Sequence, residues 1–140
     1  MAYCLGYLSS AAPSFTPTML PGIVASASAN NAANDVTGML CFFDNSFLQF
    51  LEGDEDDVRQ TFQRIRKDSR HQGVIEVFGQ SIAARAFASW SMALLTPEQL
   101  STDQRRLCHD LRTLTLSGET TTPHIRELSS FLSAFQLWIR

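Results

Sequence analysis

The sequence has few of the features that mark proteins built around a metal, a disulfide framework, nucleic acid or a membrane. Its three cysteines, at positions 4, 41 and 108, are far apart and form no Cys-x-x-Cys pair, which argues against both disulfides and a zinc site. Its 11 Lys and Arg are scattered among 14 Asp and Glu, so the sequence gives no basic patch for nucleic acid. No apolar run approaches the roughly 18 residues that a membrane span requires. We therefore expect no metal site, no nucleic-acid binding and no membrane insertion.

Signals for export and for phosphate binding are also missing. The N-terminus lacks a basic region followed by an apolar stretch and a cleavage site, so we expect a protein of the reducing cytoplasm. No glycine-rich loop of the kind that cradles phosphates is visible. What is present is a chain of 140 residues that is 44% hydrophobic, which is enough for one domain with a core and a short appendage.

The stretch from 46 to 53 carries one amide inside an apolar run. If this run is a strand, Phe47, Gln49 and Leu51 share one face, while Leu48 and Phe50 share the other. A strand that is apolar on both faces belongs inside a covered sheet, where an unpaired amide would cost about 1–3 kcal/mol. Gln49 is therefore either satisfied by neighbouring protein groups or bonded to a buried ligand.

Periodicity and turn residues predict an alternation of strands and helices. Thr16-Pro17 favours a helix start, although Pro21-Gly22 kinks that helix or delays its beginning. Asp44-Asn45 suits a two-residue hairpin turn, and Asp54 is the expected cap of a helix with an acidic first turn. The predicted elements are strands at 3–9, 36–43, 46–53, 73–82 and 89–94, and helices at about 17–33 and from 54 to the turn at 68.

This order predicts an α+β, ferredoxin-like fold: a mixed five-stranded sheet with two helices on one face. We expect the first domain to cover residues 1–95. Residues 96–140 are expected to form a C-terminal helical extension of two short amphipathic helices, the first beginning in a capping box at 96–99.

Three further polar side chains fall on or beside the buried stripes of the predicted helices. Asn30 and Asn31 continue the apolar phase of the first helix, and they are either polar residues that end the helix or groups aimed at a ligand. Arg64 flanks the buried face of the second helix, so it is either solvated with a packed stem or reaches a ligand between helix and sheet.

Taken together, these residues resemble the BLUF family, the blue-light sensors that use FAD. The resemblance covers roughly residues 3 to 95, and six local strings carry it in order. They are Gly6-Tyr7-Leu8-Ser9-Ser10, Asn30-Asn31-Ala32, Val36-Thr37-Gly38-Met39-Leu40, Phe47-Leu48-Gln49-Phe50-Leu51-Glu52-Gly53, Asp68-Ser69-Arg70-His71 and Phe87-Ala88-Ser89-Trp90-Ser91-Met92.

The resemblance implies that a flavin, FAD or alternatively FMN, lies between the two helices. Asn31 would hold the C4 carbonyl and the N3 edge of the ring. Asn30 and Arg64 would assist near the ring edge and the C2 carbonyl, and Ile23 would pack on the ring. His71 matches a family position in the turn after the second helix, where it is equally an exposed turn histidine.

The resemblance also implies the photoactive residues. Gln49 would contact the flavin while bonding Tyr7, and Ser9 would support that end of the network. Blue light would drive transfer of an electron and a proton from Tyr7, after which the amide is rotated or tautomerised and absorption is slightly red-shifted. Trp90 and Met92 would couple this change to the C-terminal elements, although Trp90 is equally an ordinary core aromatic.

The expected function is therefore a blue-light photoreceptor and not an enzyme. The expected output is a downstream protein partner or a change in assembly, and we expect a homo-oligomer. Two other classes stay open at this point: a flavin-dependent redox protein that uses the same pocket, and a cofactor-free ferredoxin-like interaction domain.

Overall fold

A computed structural model of the chain describes residues 2–88, 90–99, 102, 105 and 106. Within these residues it has five strands and two α-helices, with 3₁₀ turns at Pro17–Met19 and Pro97–Gln99. The elements are β1 Ala2–Ala11, α1 Leu20–Ala33, β2 Thr37–Phe43, β3 Ser46–Gly53, α2 Glu55–Arg66, β4 His71–Ile82 and β5 Ala93–Leu95. The predicted α+β class is confirmed. The two helices predicted beyond the 3₁₀ turn lie almost wholly outside the described residues.

The five strands form one mixed sheet in the order β4-β1-β3-β2-β5. Strands β1, β2, β3 and β4 pair antiparallel, whereas β5 runs parallel to β2. Strand β3 is central, and its Gln49 lies opposite Tyr7 of β1 on one side and Leu40 of β2 on the other. The amide singled out in the sequence is therefore at the middle of the sheet.

Both helices pack on the same face of the sheet, as predicted. Phe47 and Leu51 belong to the helix-side core, with apolar residues of α1 and α2 around them. Leu48 and Phe50 belong to a second core on the opposite face, which we call the far face. The alternation read from β3 thus assigned each side chain to the correct face.

The hairpin between β2 and β3 is the two-residue turn that was predicted. Asp44 and Asn45 have φ values of 48° and 58°, the left-handed pair that a type I′ turn requires and that Asn and Asp tolerate. Asp54 occupies the N-cap position of α2, but its side chain makes no capping hydrogen bond. The acidic first turn, Glu55 to Asp57, is present and complements the helix dipole.

The first helix begins later than a start at 17. Residues 17–19 form a 3₁₀ turn, and α1 starts at Leu20, with Pro21 in its first turn, where a missing backbone N–H costs nothing. The Thr16 hydroxyl does not cap the turn and instead bonds the Thr18 hydroxyl at 2.7 Å. The delayed start suggested by Pro21-Gly22 is the correct alternative.

The prediction of a strand over 89–94 was wrong in extent. Strand β5 covers only Ala93–Leu95, and Trp90 and Met92 precede it. A strand would place Trp90 and Met92 on one face, but Trp90 packs with the far-face core and Met92 with the helix-side core. The alternating apolar pattern is that of a strand, but the carbonyls of Trp90 and Ser91 accept hydrogen bonds from Gly38 N and from the Asn31 side chain.

Among the residues that the structure describes, no helix is long and apolar enough to cross a membrane.

Candidate functional site

A pocket opens between α1, α2 and the sheet. The empty space between these elements, which includes space open to solvent, is about 730 Å³. Apolar side chains form much of the wall, and amides, hydroxyls and charged groups lie at its ends. The lining residues are Tyr7, Ile23, Ser26, Ala27, Asn30, Asn31, Leu40, Phe47, Gln49, Thr61, Arg64, Ile65, Asp68, Arg70 and His71.

Tyr7 and Gln49 meet at the floor of the pocket. They are cross-strand partners in β1 and β3, and the Tyr7 hydroxyl donates a hydrogen bond to Gln49 Oε1. The other half of the amide, Nε2, donates to Met92 Sδ at 3.5 Å. Tyr7 is 3% exposed and Gln49 4% exposed. The amide is thus held between an oxidisable phenol and a soft thioether acceptor.

Burial raises the pKa of the Tyr7 phenol well above its usual range, and the nearby Asp68 carboxylate raises it further. The phenol is therefore neutral and keeps its proton on the bond to Gln49 at any physiological pH. A phenol in this state can supply a proton only together with an electron, since simple ionisation inside the protein is strongly disfavoured.

Asn31 is the one fully buried residue of α1, with 1% of its surface exposed. Its side-chain Nδ2 donates to the backbone carbonyl of Ser91 at 2.7 Å. Its backbone carbonyl accepts a hydrogen bond from Val36 N at 2.8 Å. Asn30 is exposed at the mouth of the pocket. Of the two asparagines, Asn31 thus connects the pocket to the chain that precedes β5.

The pocket also brings in Arg64 and Ile23 from the two helices. Arg64 is exposed on α2, lines the pocket and donates to Thr61 Oγ1 at 3.4 Å. Ile23 is half-buried on the facing side of α1. An exposed guanidinium at the mouth and an apolar side chain on the wall suit a planar ligand with a polar edge.

Ser9 does not line the pocket but acts on a residue that does. Its hydroxyl bonds His71 Nδ1 at 2.8 Å, and His71 Nε2 bonds the Ile65 carbonyl at 2.6 Å. A carbonyl can only accept, so Nε2 carries a proton and donates to Ile65. His71 also meets the Tyr7 ring edge-on, with centroids 5.9 Å apart. The exposed-turn interpretation of His71 is therefore wrong.

Two charged lining residues, Asp68 and Arg70, received no role in the sequence interpretation. Arg70 forms an ion pair with Asp68, with Nη2 and Oδ2 2.6 Å apart, and this bonding holds the pKa of the Asp68 carboxyl below its usual range despite partial burial. Both side chains lie at the end of the pocket next to His71. The string Asp68-Ser69-Arg70-His71 was the available signal, but a charged turn is usually solvated surface.

Glu52 was also missed, and it lies outside the pocket. It is fully buried on the far face of β3, where it accepts from Ala86 N at 2.6 Å, Phe87 N at 2.8 Å and Thr37 Oγ1 at 3.2 Å. Desolvation raises the pKa of its carboxyl, although these donors oppose the shift. A buried carboxylate with this many donors has a structural task that its position at a strand end did not reveal.

The predicted photoactive and cofactor-binding residues are thus largely brought together. Six of them line the pocket: Tyr7, Ile23, Asn30, Asn31, Gln49 and Arg64. Ser9 contacts the lining through His71, and Met92 contacts Gln49. Trp90 is on the other side of the sheet, where it stacks on Phe87 with ring centroids 5.9 Å apart.

Comparison with protein families gives one model that matches most of the chain. It is BLUF, "Sensors of blue-light using FAD", and it matches residues 2–93. The match ends within β5 and includes all of the pocket residues.

Curated relatives match half of the chain or more. The chain is 34% identical over 99 residues to the photoactivated adenylate cyclase subunit beta of Euglena longa, covering 70% of this chain and 12% of that protein. It is 36% identical over 72 residues to the blue light- and temperature-regulated antirepressor BluF of Escherichia coli K12, covering 51% of this chain and 18% of the relative. The chain therefore spans only a small part of the length of these relatives.

Solved structures with the same fold cover more of the chain. The dark state of BlrB, a BLUF protein, superimposes with a TM-score of 0.74 at 28% identity, covering 95% of this chain and 96% of that one. The photo-activated state of BlsA gives a TM-score of 0.77 at 26% identity, covering 97% and 95%. Klebsiella pneumoniae BlrP1 with FMN and cyclic diGMP gives 0.69 at 32% identity, covering 95% of this chain and 35% of that protein.

Proposed function

Because this chain belongs to the BLUF family of blue-light sensors that use FAD, we propose that it is a photoreceptor whose Tyr7–Gln49 pair rearranges when a bound flavin absorbs light. The observation that carries the proposal is the hydrogen bond from the Tyr7 hydroxyl to Gln49 Oε1, made on the floor of the pocket between the two helices and the sheet. The output is a change in protein contacts and not a reaction catalysed by this domain.

The residues of the pocket fit a flavin. A flat ring with one apolar end and one edge of carbonyl and N–H groups needs apolar walls and amide or guanidinium partners at one end. The side chains of Ile23, Leu40 and Ile65 supply the walls. Asn31, with assistance from Asn30 and Arg64, would hold the polar edge.

The flavin, when bound, supplies the absorption of blue light and accepts an electron once excited. Tyr7 is the group that gives the electron, and its proton leaves along the existing bond to Gln49 Oε1. When the electron and the proton return to the phenol, the amide can be left turned or tautomerised, because an amide both donates and accepts. Ser9 and His71 hold the Tyr7 ring in place during this exchange.

Rotation of the Gln49 amide removes the hydrogen bond that the Met92 sulfur accepts. In the structure, Gln49 Nε2 faces Met92 Sδ. After rotation, an oxygen faces the sulfur, and two acceptors then meet with no proton between them. The loss of this hydrogen bond favours a new position of the Met92 side chain. Met92 is therefore the first residue through which the signal leaves the pocket. Trp90, on the far face, responds through the chain that joins it to Met92.

The experiment that tests the function is an absorption spectrum of the purified protein before and after a blue flash, followed during recovery in the dark. A small, reversible red shift of an oxidised flavin band is the expected result. Bleaching of the band would instead favour a redox protein, and a colourless folded protein that takes up no flavin would favour the cofactor-free interaction domain.

We further propose that the natural cofactor is FAD, in line with the family description, and that FMN also fits the ring pocket, as the FMN-containing BlrP1 structure suggests. Mass spectrometry of the flavin released by acid from protein made in cells distinguishes them. Recovery of FMN alone would contradict the assignment.

The proposed output runs through a homo-oligomer and a downstream protein partner. The sequence from 96 to 140 supports this, because it carries apolar residues at heptad-like spacing, among them Ile125, Leu128 and Leu132. Light scattering in the dark and under blue light measures the assembly. A monomer under both conditions would count against the oligomer but not against the light response.

A further inference from the structure

Residues 86–88 and 90–92, which we call the crossing segment, place side chains on both faces of the sheet. Ala86, Phe87 and Trp90 belong to the far-face core. Met92 belongs to the helix-side core, in contact with Gln49. The segment is therefore a physical connection between the buried pocket and the opposite face of the sheet.

On the pocket side, groups from three elements hold the segment. Asn31 Nδ2 of α1 donates to the Ser91 carbonyl at 2.7 Å, and Gly38 N of β2 donates to the Trp90 carbonyl at 3.0 Å. Gln49 Nε2 of β3 donates to Met92 Sδ at 3.5 Å, which is the longest of these contacts. A thioether sulfur is a weak acceptor, so the contact that light is proposed to alter is a weak restraint on the segment's pocket end, where the Ser28 hydroxyl also donates to the Met92 carbonyl at 3.5 Å.

On the far side, one carboxylate fixes the beginning of the segment. Glu52 is 0% exposed, and its two oxygens accept from the successive backbone N–H groups of Ala86 and Phe87 at 2.6 and 2.8 Å. Such charge-assisted bonds are shorter and stronger than neutral ones. Two of them on adjacent N–H groups fix both the position and the orientation of the backbone there.

Glu52 and Gln49 lie on the same strand, three residues apart, with their side chains on opposite faces. A closed path thus runs from Gln49 along β3 to Glu52, through the crossing segment, and back from Met92 to Gln49. Only four residues separate Phe87 from Met92, so the Glu52 carboxylate, together with the bonds from Gly38 and Asn31, sets where the Met92 sulfur lies relative to the amide.

We propose that Glu52 is a positioning residue of the light response, which acts by holding the crossing segment so that Met92 meets Gln49. This inference rests on the proposed function. It assigns no contact between Glu52 and the flavin.

The test replaces Glu52 by Gln, which keeps the volume but offers an N–H₂ group to one of the two backbone donors. Wild type, Glu52→Gln and Val58→Ala are compared by the rate of dark recovery after a blue flash. We expect Glu52→Gln to slow dark recovery by about fivefold or more. In this variant the Met92 sulfur is displaced from the position in which it accepts the hydrogen bond from Gln49 Nε2 in the dark state. Val58 is fully buried in α2, on a different element of the helix-side core that also holds Met92, and Val58→Ala, a control for lost stability, is expected to recover like wild type.

A double-mutant cycle with Met92→Ala separates positioning from a general loss of packing. If Glu52 acts through Met92, then Glu52→Gln has no further effect on recovery once the sulfur is gone. Equal effects of Glu52→Gln with and without Met92, or the same recovery rate as wild type, would overturn the proposal.

A second readout needs no flavin. In protein labelled with ¹³C at the methionine methyl groups, Glu52→Gln is expected to shift the Met92 signal, whereas Val58→Ala leaves it in place.

If Glu52→Gln gives no folded protein, Thr37→Val removes the weaker hydroxyl donor to Glu52 and is expected to produce a smaller change of both readouts in the same direction. An unmoved methyl signal would also overturn the proposal. A wild-type protein without any light-induced shift would overturn the proposed function, whereas wild-type behaviour of the Glu52 variant would overturn only this inference.

Discussion

Tyr7 and Gln49 lie directly opposite each other on adjacent antiparallel strands, and the hydroxyl of one donates to the side-chain oxygen of the other. The register of β1 and β3 alone therefore places the two groups, with no loop or helix needed to bring them together. Groups held by a sheet are more precisely positioned than groups on loops, which is what a proton moving between them requires.

Tyr7→Phe is expected to keep the flavin and to lose the light-induced red shift, because the phenyl ring packs as before but carries no proton for Gln49. The flash spectrum measures this. The chain offers a matched control in Tyr3, its only other tyrosine, which lies on the same face of β1 and bonds Arg59 at 2.8 Å instead of the pocket. Tyr3→Phe should retain the shift, and a normal shift in Tyr7→Phe would end the proposed mechanism.

Arg64→Ala is expected to weaken flavin binding about tenfold, since a bond from a charged donor to the ring edge is lost. Titration of the flavin-free protein, followed by fluorescence quenching, gives the two affinities. Arg66 is the control, because its guanidinium lies 5.3 Å over the Phe62 ring and is not part of the pocket. If Arg66→Ala weakened flavin binding as much as Arg64→Ala, the loss would come from the lower positive charge of the protein and not from a bond between Arg64 and the flavin.

Gly38→Ala is expected to lower the free energy of unfolding by about 3 kcal/mol. A Cβ at Gly38 would lie 2.0 Å from the Phe50 carbonyl oxygen, so the central strands would have to separate. Gly22→Ala is the opposite case, because nothing lies within 4 Å of its Cβ and the position is helical. It should raise the free energy of unfolding by about 0.5–1 kcal/mol. Urea unfolding midpoints compare the two variants, and equal midpoints would contradict the close approach at Gly38.

Stability should fall at alkaline pH because of Tyr7. Burial raises the pKa of this phenol in the folded protein, while the unfolded chain ionises near the ordinary pKa of about 10. The stabilisation is therefore fully present below pH 10 and is lost as pH rises above it, by about 1.4 kcal/mol per pH unit for this one proton. Unfolding free energies between pH 9 and pH 11 are expected to decline less steeply in Tyr7→Phe than in wild type. An identical dependence of the unfolding free energy on pH in the two proteins would show that folding does not raise the pKa of the Tyr7 phenol.

The alternation of apolar residues in β3 was sufficient to place Gln49 correctly, because a strand has only two faces and both flanking pairs were unambiguous. The pair Asp44-Asn45 likewise predicted the hairpin turn correctly, since few residue pairs tolerate two successive positive φ values. These predictions succeeded because neighbouring residues decide them.

The segment before β5 was predicted wrongly for the opposite reason. Trp90, Met92 and Leu94 alternate like a strand, but the backbone of Trp90 and Ser91 bonds to Gly38 and Asn31, more than 50 residues earlier in the chain. The role of Glu52 was hidden in the same way, since its donors are 34 and 35 residues away. Contacts at such separations leave no periodic signal in the local sequence.

The position of Tyr7 and Gln49 on two strands far apart in sequence also has a consequence for how the site comes into existence during folding. The β2–β3 hairpin joins neighbouring residues through a two-residue turn and can form within microseconds. The pairing of β1 with β3 closes a loop of about 40 residues, which is slower because the loss of chain entropy comes before any contact compensates for it. Gln49 is therefore in a strand before Tyr7 arrives. We expect the hydrogen bond between them to form in a late step, so that a chain still in the process of folding has no light response.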